Sequence, residues 1–184
     1  MKGVIFTEFL DMVEDRFSPE IADQIIEQTE PASGGAYTAV GTYDHAEIVA
    51  MVVALSEEAD LPVPDLLRAF GQHLFGQLAD RHPEFLTDAT TAFEFLRQVE
   101  SVIHVEVRKL YPDAEVPALD CAVDGDERMT MVYSSPRGMA DVALGLIEGC
   151  IDHFKEAIDV GRTDLSGDPG THTRFDLVRR QAAA

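Results

Sequence analysis

Cysteine and positive charge are scarce in this chain. Only Cys121 and Cys150 occur, far apart and with no CxxC pair, so neither a disulfide framework nor a thiolate zinc site can be read from them and both read as core residues. Lysine and arginine number 14 against 34 acidic residues, a formal charge of -20. Such a charge opposes binding to nucleic-acid phosphates and to anionic membrane surfaces, and it suits a solvated, soluble exterior. No apolar run approaches the length that spans a bilayer. No internal repeat, low-complexity tract or linker-like shift in composition interrupts the sequence. The opening "MKGVIFTEFLDMVEDRF" has one lysine and then apolar residues broken by Glu8, Asp11, Glu14 and Asp15, which suits an amphipathic helix and not a secretory leader. These exclusions point to a cytoplasmic protein.

What is present is enough for a core. With 184 residues and 46% hydrophobic content, one domain over 1–184 is expected. The first half reads helical. Val4, Ile5, Phe9, Met12, Val13 and Phe17 recur at helical spacing, and Ser18 followed by Pro19 offers an N-cap and first-turn proline for a second helix. The stretch "EPASGGAYTAVGTYD" is a loop by its Pro31, Gly34, Gly35 and Gly41. Two more helices follow, one from Tyr43 or Asp44 and one ending before Pro83, and the pattern predicts a continuous helix over about Thr91 to Leu110. Beyond Tyr111 the character changes to two strands joined at Asp124, Gly125 and Asp126, a long helix, and a second hairpin around Gly167 and Gly170. The fold class is α+β, helices first and antiparallel strands around a long helix afterwards.

Two features carry possible chemistry. Among six histidines, His45, His73, His82, His153 and His172 have polar or helix-end neighbours and read as surface residues, with no HExxH or other paired spacing. His104 stands apart, bracketed by Val102, Ile103, Val105 and Val107. An imidazole in such surroundings is either a satisfied core side chain or a ligand. The second feature is Tyr133, Ser135 and Arg137 at the end of a strand. Residues two apart on an extended segment project to one face, so two hydroxyls and a guanidinium could converge on a carboxylate. Alternatively, Ser135 caps the next helix and Pro136 opens its first turn. The charge of -20 bears on that choice, because an anionic ligand would need a local fork of donors to enter so acidic a chain.

Tyr133, Ser135 and Arg137 in a YxSxR spacing, with His104 about thirty residues upstream, resemble the haem nitric oxide/oxygen binding (H-NOX) domain, a family that includes the sensor of soluble guanylate cyclase. "MKGVIF", "AFGQHLFGQLADRHP", "VIHVEVRKLYP" and "YSSPRG...GLIEG" all sit where that family has them, so the likeness covers nearly the whole chain. The resemblance implies a distal helical lobe over about 1–60, a proximal lobe with the sheet over about 61–184, and haem b between them. It makes His104 the iron ligand and gives the two propionates to Tyr133, Ser135 and Arg137. Pro117, thirteen residues after His104, matches the family's proline that presses on the porphyrin, and Ile5 and Leu146 match residues packed against it.

The sequence departs from the family's oxygen-binding members on the distal side. Those members place a tyrosine about five residues after the arginine, where this chain has Val142, and Phe9 and Leu74 stand where relatives can carry tryptophan and asparagine. A pocket without donors disfavours O2 and still admits NO and CO. Zinc, bound in some bacterial relatives by cysteines and histidine, is not expected here, because "GRTDLSGDPGTHTRFDLV" offers only His172. The implied function is a stand-alone bacterial NO sensor, not an enzyme, that signals to a histidine kinase or cyclic-di-GMP enzyme. A haem-dependent oxidoreductase, which needs distal acid or base groups, and a haem-free interaction module are the other readings.

Overall fold

The computed structural model describes residues 1–180. The amphipathic start forms α1 (Gly3–Arg16), and Ser18 accepts the Ile21 amide to cap α2 (Pro19–Thr29), whose first residue is the anticipated proline. After an irregular loop, Asp44 caps α3 (His45–Ala59). The longest helix, α4 (Val63–Arg81), follows at once and ends before Pro83. Phe6, Phe9, Met12, Ile25, Ile48, Met51 and Leu55 are fully buried between these elements, and Leu66, Phe70 and Leu74 of α4 join them.

The helix expected over Thr91 to Leu110 is interrupted. Thr91 caps α5 (Ala92–Gln98), a π-helical stretch covers Val99–Ile103, and α6 (His104–Leu110) continues from it. A π segment inserts a residue into the turn and rotates the side chains that follow it relative to those before. Periodicity cannot register that local widening, because both flanks keep helical spacing.

The strands β1 (Ala118–Asp124), β2 (Arg128–Ser134), β3 (Ile158–Asp164) and β4 (His172–Arg179) form one antiparallel sheet in the order β1-β2-β4-β3. Gly125, at φ 60, makes the turn between the first two. Alternation in β2 buries Met129, Met131 and Tyr133, which register against Leu177, Phe175 and Thr173 of β4. On that face lies α7 (Ala140–His153), whose Ile147, Cys150 and Ile151 share a second core with Phe75, Phe93, Phe95 and Phe175.

The two cores meet along α4 and α7, which cross with backbones in contact. A Cβ on Gly145 would lie 2.0 Å from the Arg68 carbonyl oxygen, and one on Gly71 would lie 2.2 Å from that of Val142. Only hydrogen fits at that crossing. Glu148 of α7 pairs with Arg68 and accepts from Gln72 at 2.9 Å, which fixes the same two helices on their outer side. Between the two cores, beside this crossing, the chain leaves a cavity.

Candidate functional site

The cavity has a volume of about 570 Å³, and most of its lining is apolar. Of the residues singled out in the sequence, His104, Tyr133, Ser135, Arg137, Pro117, Ile5, Leu74, Val142 and Leu146 all line it. Phe9 does not. It is fully buried in the N-terminal core and meets Phe70 edge-on at 5.5 Å, so Phe70 forms the wall and Phe9 supports it from behind.

His104 is the first residue of α6, held at the cavity by Ile103 and Val107, which also line it, while Val102 and Val105 are exposed on the outer surface. Its side chain is 12% exposed, and Nδ1 lies 2.9 Å from Glu100 Oε2. A carboxylate only accepts, so Nδ1 carries the proton and Nε2 is left as the nitrogen with a free lone pair. Glu100 has further partners, for Arg108 donates to Oε1 at 3.0 Å and the Leu119 amide to Oε2 at 3.2 Å. Burial pushes the Glu100 carboxyl up, yet these hydrogen bonds outweigh it and hold the group below the usual carboxylate range.

Tyr133, near the end of β2, and Ser135 are buried; the strand stops at Ser134, and Arg137 reaches the cavity from the turn at Pro136 and Arg137 and not from an extended segment. The capping alternative fails. The next helix starts at Ala140 with Met139 at its N-cap, and Ser135 Oγ instead accepts the Arg137 amide at 3.3 Å. Burial raises the Tyr133 phenol pKa, while Ser135, the Met139 backbone and Arg137 pull it back, so the tyrosine stays a proton donor. The Arg137 side chain is only 13% exposed; it donates to the Glu115 carbonyl at 2.7 Å and pairs with the Glu115 carboxylate. All three donors therefore face one end of an otherwise apolar space.

The opposite wall comes from α1, α4 and α7 as Ile5, Phe70, Leu74, Val142 and Leu146. None of these side chains can donate or accept a hydrogen bond. Tyr37 and Tyr43 do not reach the cavity; in the N-terminal core Tyr37 stacks on Phe6 at 4.6 Å and Tyr43 meets it edge-on at 5.5 Å, and the Tyr37 hydroxyl donates to Glu47. Tyr111 does line it, from just beyond α6 on the side of His104, with Lys2 Nζ 4.9 Å from its ring centre.

The structure also brings in residues the sequence did not mark. Arg81 and His82, at the end of α4, reach the cavity rim, where Arg81 pairs with buried Glu8 and His82 lies 3.1 Å from Glu84. His73, expected on the surface, is half-buried with Nε2 unpartnered, and burial lowers its pKa. His172 lies 2.8 Å from the Ser134 hydroxyl. Glu100 was not marked either; its place four residues before His104 is the one hint the sequence holds of it.

An apolar cavity with the His104 imidazole in its wall and two hydroxyls and a guanidinium at one end suits a flat, largely apolar group that carries a metal and carboxylates. The donor set fits haem, and the class so defined is a haem-binding protein. The sequence profile of the Haem-NO-binding family matches residues 2–162, and the chain belongs to that family, the H-NOX proteins, which are haem-based gas sensors. Solved structures agree. The chain is 38% identical to the unliganded Fe(II) H-NOX protein of K. algicida, with a TM-score of 0.93 over 100% of this chain and 99% of that one. It is 41% identical to the H-NOX of Shewanella woodyi, solved with IWP-051 in the Fe(II)CO state, with a TM-score of 0.84 over 100% and 97%. An H-NOX protein of S. oneidensis in the Fe(II)NO state is 26% identical, with a TM-score of 0.90 over 98% and 100%.

Proposed function

We propose that the cavity is a haem b pocket through which this chain senses nitric oxide, and that it performs no catalysis of its own. One observation carries the reading, which is that His104, with Nδ1 engaged by Glu100, and the Tyr133, Ser135 and Arg137 donors converge on one apolar cavity. Ferrous haem, when bound, would supply an iron that coordinates an imidazole and takes NO or CO.

Every other part of the task falls to the protein. His104 Nε2 would be the iron ligand, and Tyr133, Ser135 and Arg137 would hold the propionates by charge-assisted and hydroxyl hydrogen bonds. Pro117, Ile5 and Leu146 shape the space around the ring. Leu74, Val142 and Phe70, the last backed by Phe9, would leave the gas side without a donor, so NO and CO are accepted and O2 is disfavoured. Because His104 opens α6, release of its side chain from the cavity would free that helix and let the two lobes of the single domain, about 1–60 and about 61–184, shift against each other. The altered surface then regulates a separate protein, a histidine kinase or a cyclic-di-GMP enzyme. No zinc is required, and no helix of the described residues is long and apolar enough to cross a membrane, which suits a cytoplasmic sensor.

Absorption spectra of the ferrous protein under argon, air, CO and NO test this directly. The Soret band is expected to move with NO and CO and to stay in place in air. His104→Ala is expected to hold haem only when imidazole is supplied. A Soret band that ignores NO, or a His104→Ala protein that binds haem and NO as before without imidazole, would falsify the reading.

A further inference from the structure

Glu100 has three hydrogen-bond partners, two on α6 and one on β1. Its Oε2 takes His104 Nδ1 at 2.9 Å and the Leu119 amide at 3.2 Å, and its Oε1 takes Arg108 at 3.0 Å. β1 is an edge strand, so an amide on its open side has no neighbouring strand to bond, and Glu100 supplies the acceptor for Leu119. Glu100 lies inside the π-helical stretch Val99–Ile103, and His104 follows directly after it, so the wider turn separates the two residues and sets their relative placement. Leu119 and Pro117, two residues earlier, both line the cavity. One carboxylate thus links the imidazole to the strand that follows the proline.

We propose that Glu100 is a positioning residue that sets the strength of the His104 bond to iron and carries the displacement of His104 to β1. This rests on His104 being the iron ligand. An anionic acceptor on Nδ1–H draws the proton away from the ring and makes Nε2 a stronger donor, so the bond to iron is tightened. Arg108 opposes that effect, because its guanidinium draws charge from the same carboxylate. When His104 moves away from the cavity, its Nδ1 pulls on an oxygen that also holds Leu119. The strand end is then released or dragged with it.

Resonance Raman spectra of the ferrous protein, together with stopped-flow NO binding, read the first half of this. Glu100→Gln keeps the shape and removes the charge; the iron–histidine stretch is expected at lower wavenumber than in the wild type. Release of His104 after NO addition is expected to be about tenfold faster or more. Arg108→Met, at an exposed position, is expected to move the stretch the opposite way. Hydrogen exchange reads the second half, with the Leu119 amide exchanging faster in Glu100→Gln even without haem. A wild-type stretch that neither variant moves overturns the proposal while leaving His104 as the ligand. Absence of any such stretch from the wild type overturns both.

Discussion

One wall of the cavity is drawn from residues 103–137 and carries an imidazole, two hydroxyls and a guanidinium, whereas the wall from α1, α4 and α7 presents Ile5, Phe70, Leu74 and Val142. The polar wall needs charge inside an acidic protein, so each group is held by a named partner: Glu100 for His104, Glu115 for Arg137, and Ser135 beside Tyr133. The apolar wall needs only shape, supplied by the tight crossing of α4 over α7 at Gly71 and Gly145. On the proposed reading, affinity for the prosthetic group would reside in the first wall, and choice among gases in what the second wall withholds.

The largest expected effect falls on the polar wall. Arg137→Ala removes charge-assisted hydrogen bonds worth about 1.5–3 kcal/mol, so transfer of haem to an excess of a haem-scavenging apoprotein is expected to be roughly ten- to hundredfold faster. Arg137→Lys keeps the charge and loses the fork, and its rate is expected to fall between the two. Equal rates in all three proteins would remove Arg137 from the wall's function.

Next in size is a change behind the apolar wall. Gly145→Ala puts a methyl where the Arg68 carbonyl and the Gly71 Cα already stand, 2.0 Å and 2.8 Å away. Separating α4 from α7 is expected to cost about 1–3 kcal/mol of folding stability, read from the urea midpoint. The same separation shifts Val142 and Leu146, which lie on either side of Gly145, so gas affinity is expected to change with stability. Arg137→Ala, in contrast, is expected to leave the urea midpoint of the haem-free protein nearly unmoved.

The two walls were also unequally legible in the sequence. His104 stood out because imidazole among valines and isoleucine is unusual, and Tyr133, Ser135 and Arg137 because strand geometry sends alternate residues to one face. The helices, the Ser18 cap and both hairpins could be read from periodicity and turn residues. The apolar wall had no such mark, because a leucine facing a cavity and a leucine facing the core share one spacing. Resemblance supplied Ile5, Leu74, Val142 and Leu146, and it also supplied Phe9, which packs one layer behind. The π segment before His104 was hidden by helical spacing on both sides, and Glu100 by the frequency with which glutamate decorates exposed helices. Arg81 and His82 reach the rim only because α4 is long enough to carry them there.

A smaller effect, which sharpens the contrast, follows from giving the apolar wall a donor. Val142→Tyr places a hydroxyl on the gas side, and one hydrogen bond to bound O2 is worth about 1 kcal/mol, or roughly a fivefold gain in affinity. Spectra of the ferrous variant titrated with O2 would show the gain, with NO binding hardly altered. If O2 affinity stays at the wild-type level, the absence of a donor is not what keeps O2 out.

The smallest effect belongs where the two walls meet at the surface. Asp113, just beyond α6, accepts the Thr42 hydroxyl at 2.7 Å and lies 3.3 Å from Lys2 Nζ, so a loop on the polar side is clasped to the N-terminal region. The Thr42 hydrogen bond, with Lys2 adding to it, lowers the Asp113 pKa in the folded protein. A lowered folded pKa gives a contribution that is fully present above the unfolded value, about 3.9, and is lost as pH falls through the folded value. Asp113→Asn is therefore expected to lower Tm slightly near neutrality, with the difference from wild type closing only in strong acid. The carboxylate is exposed, so added salt is also expected to shrink that difference. A gap in Tm that persists unchanged through the acid range and in high salt would mean the clasp acts by shape, as the apolar wall does, and not by charge.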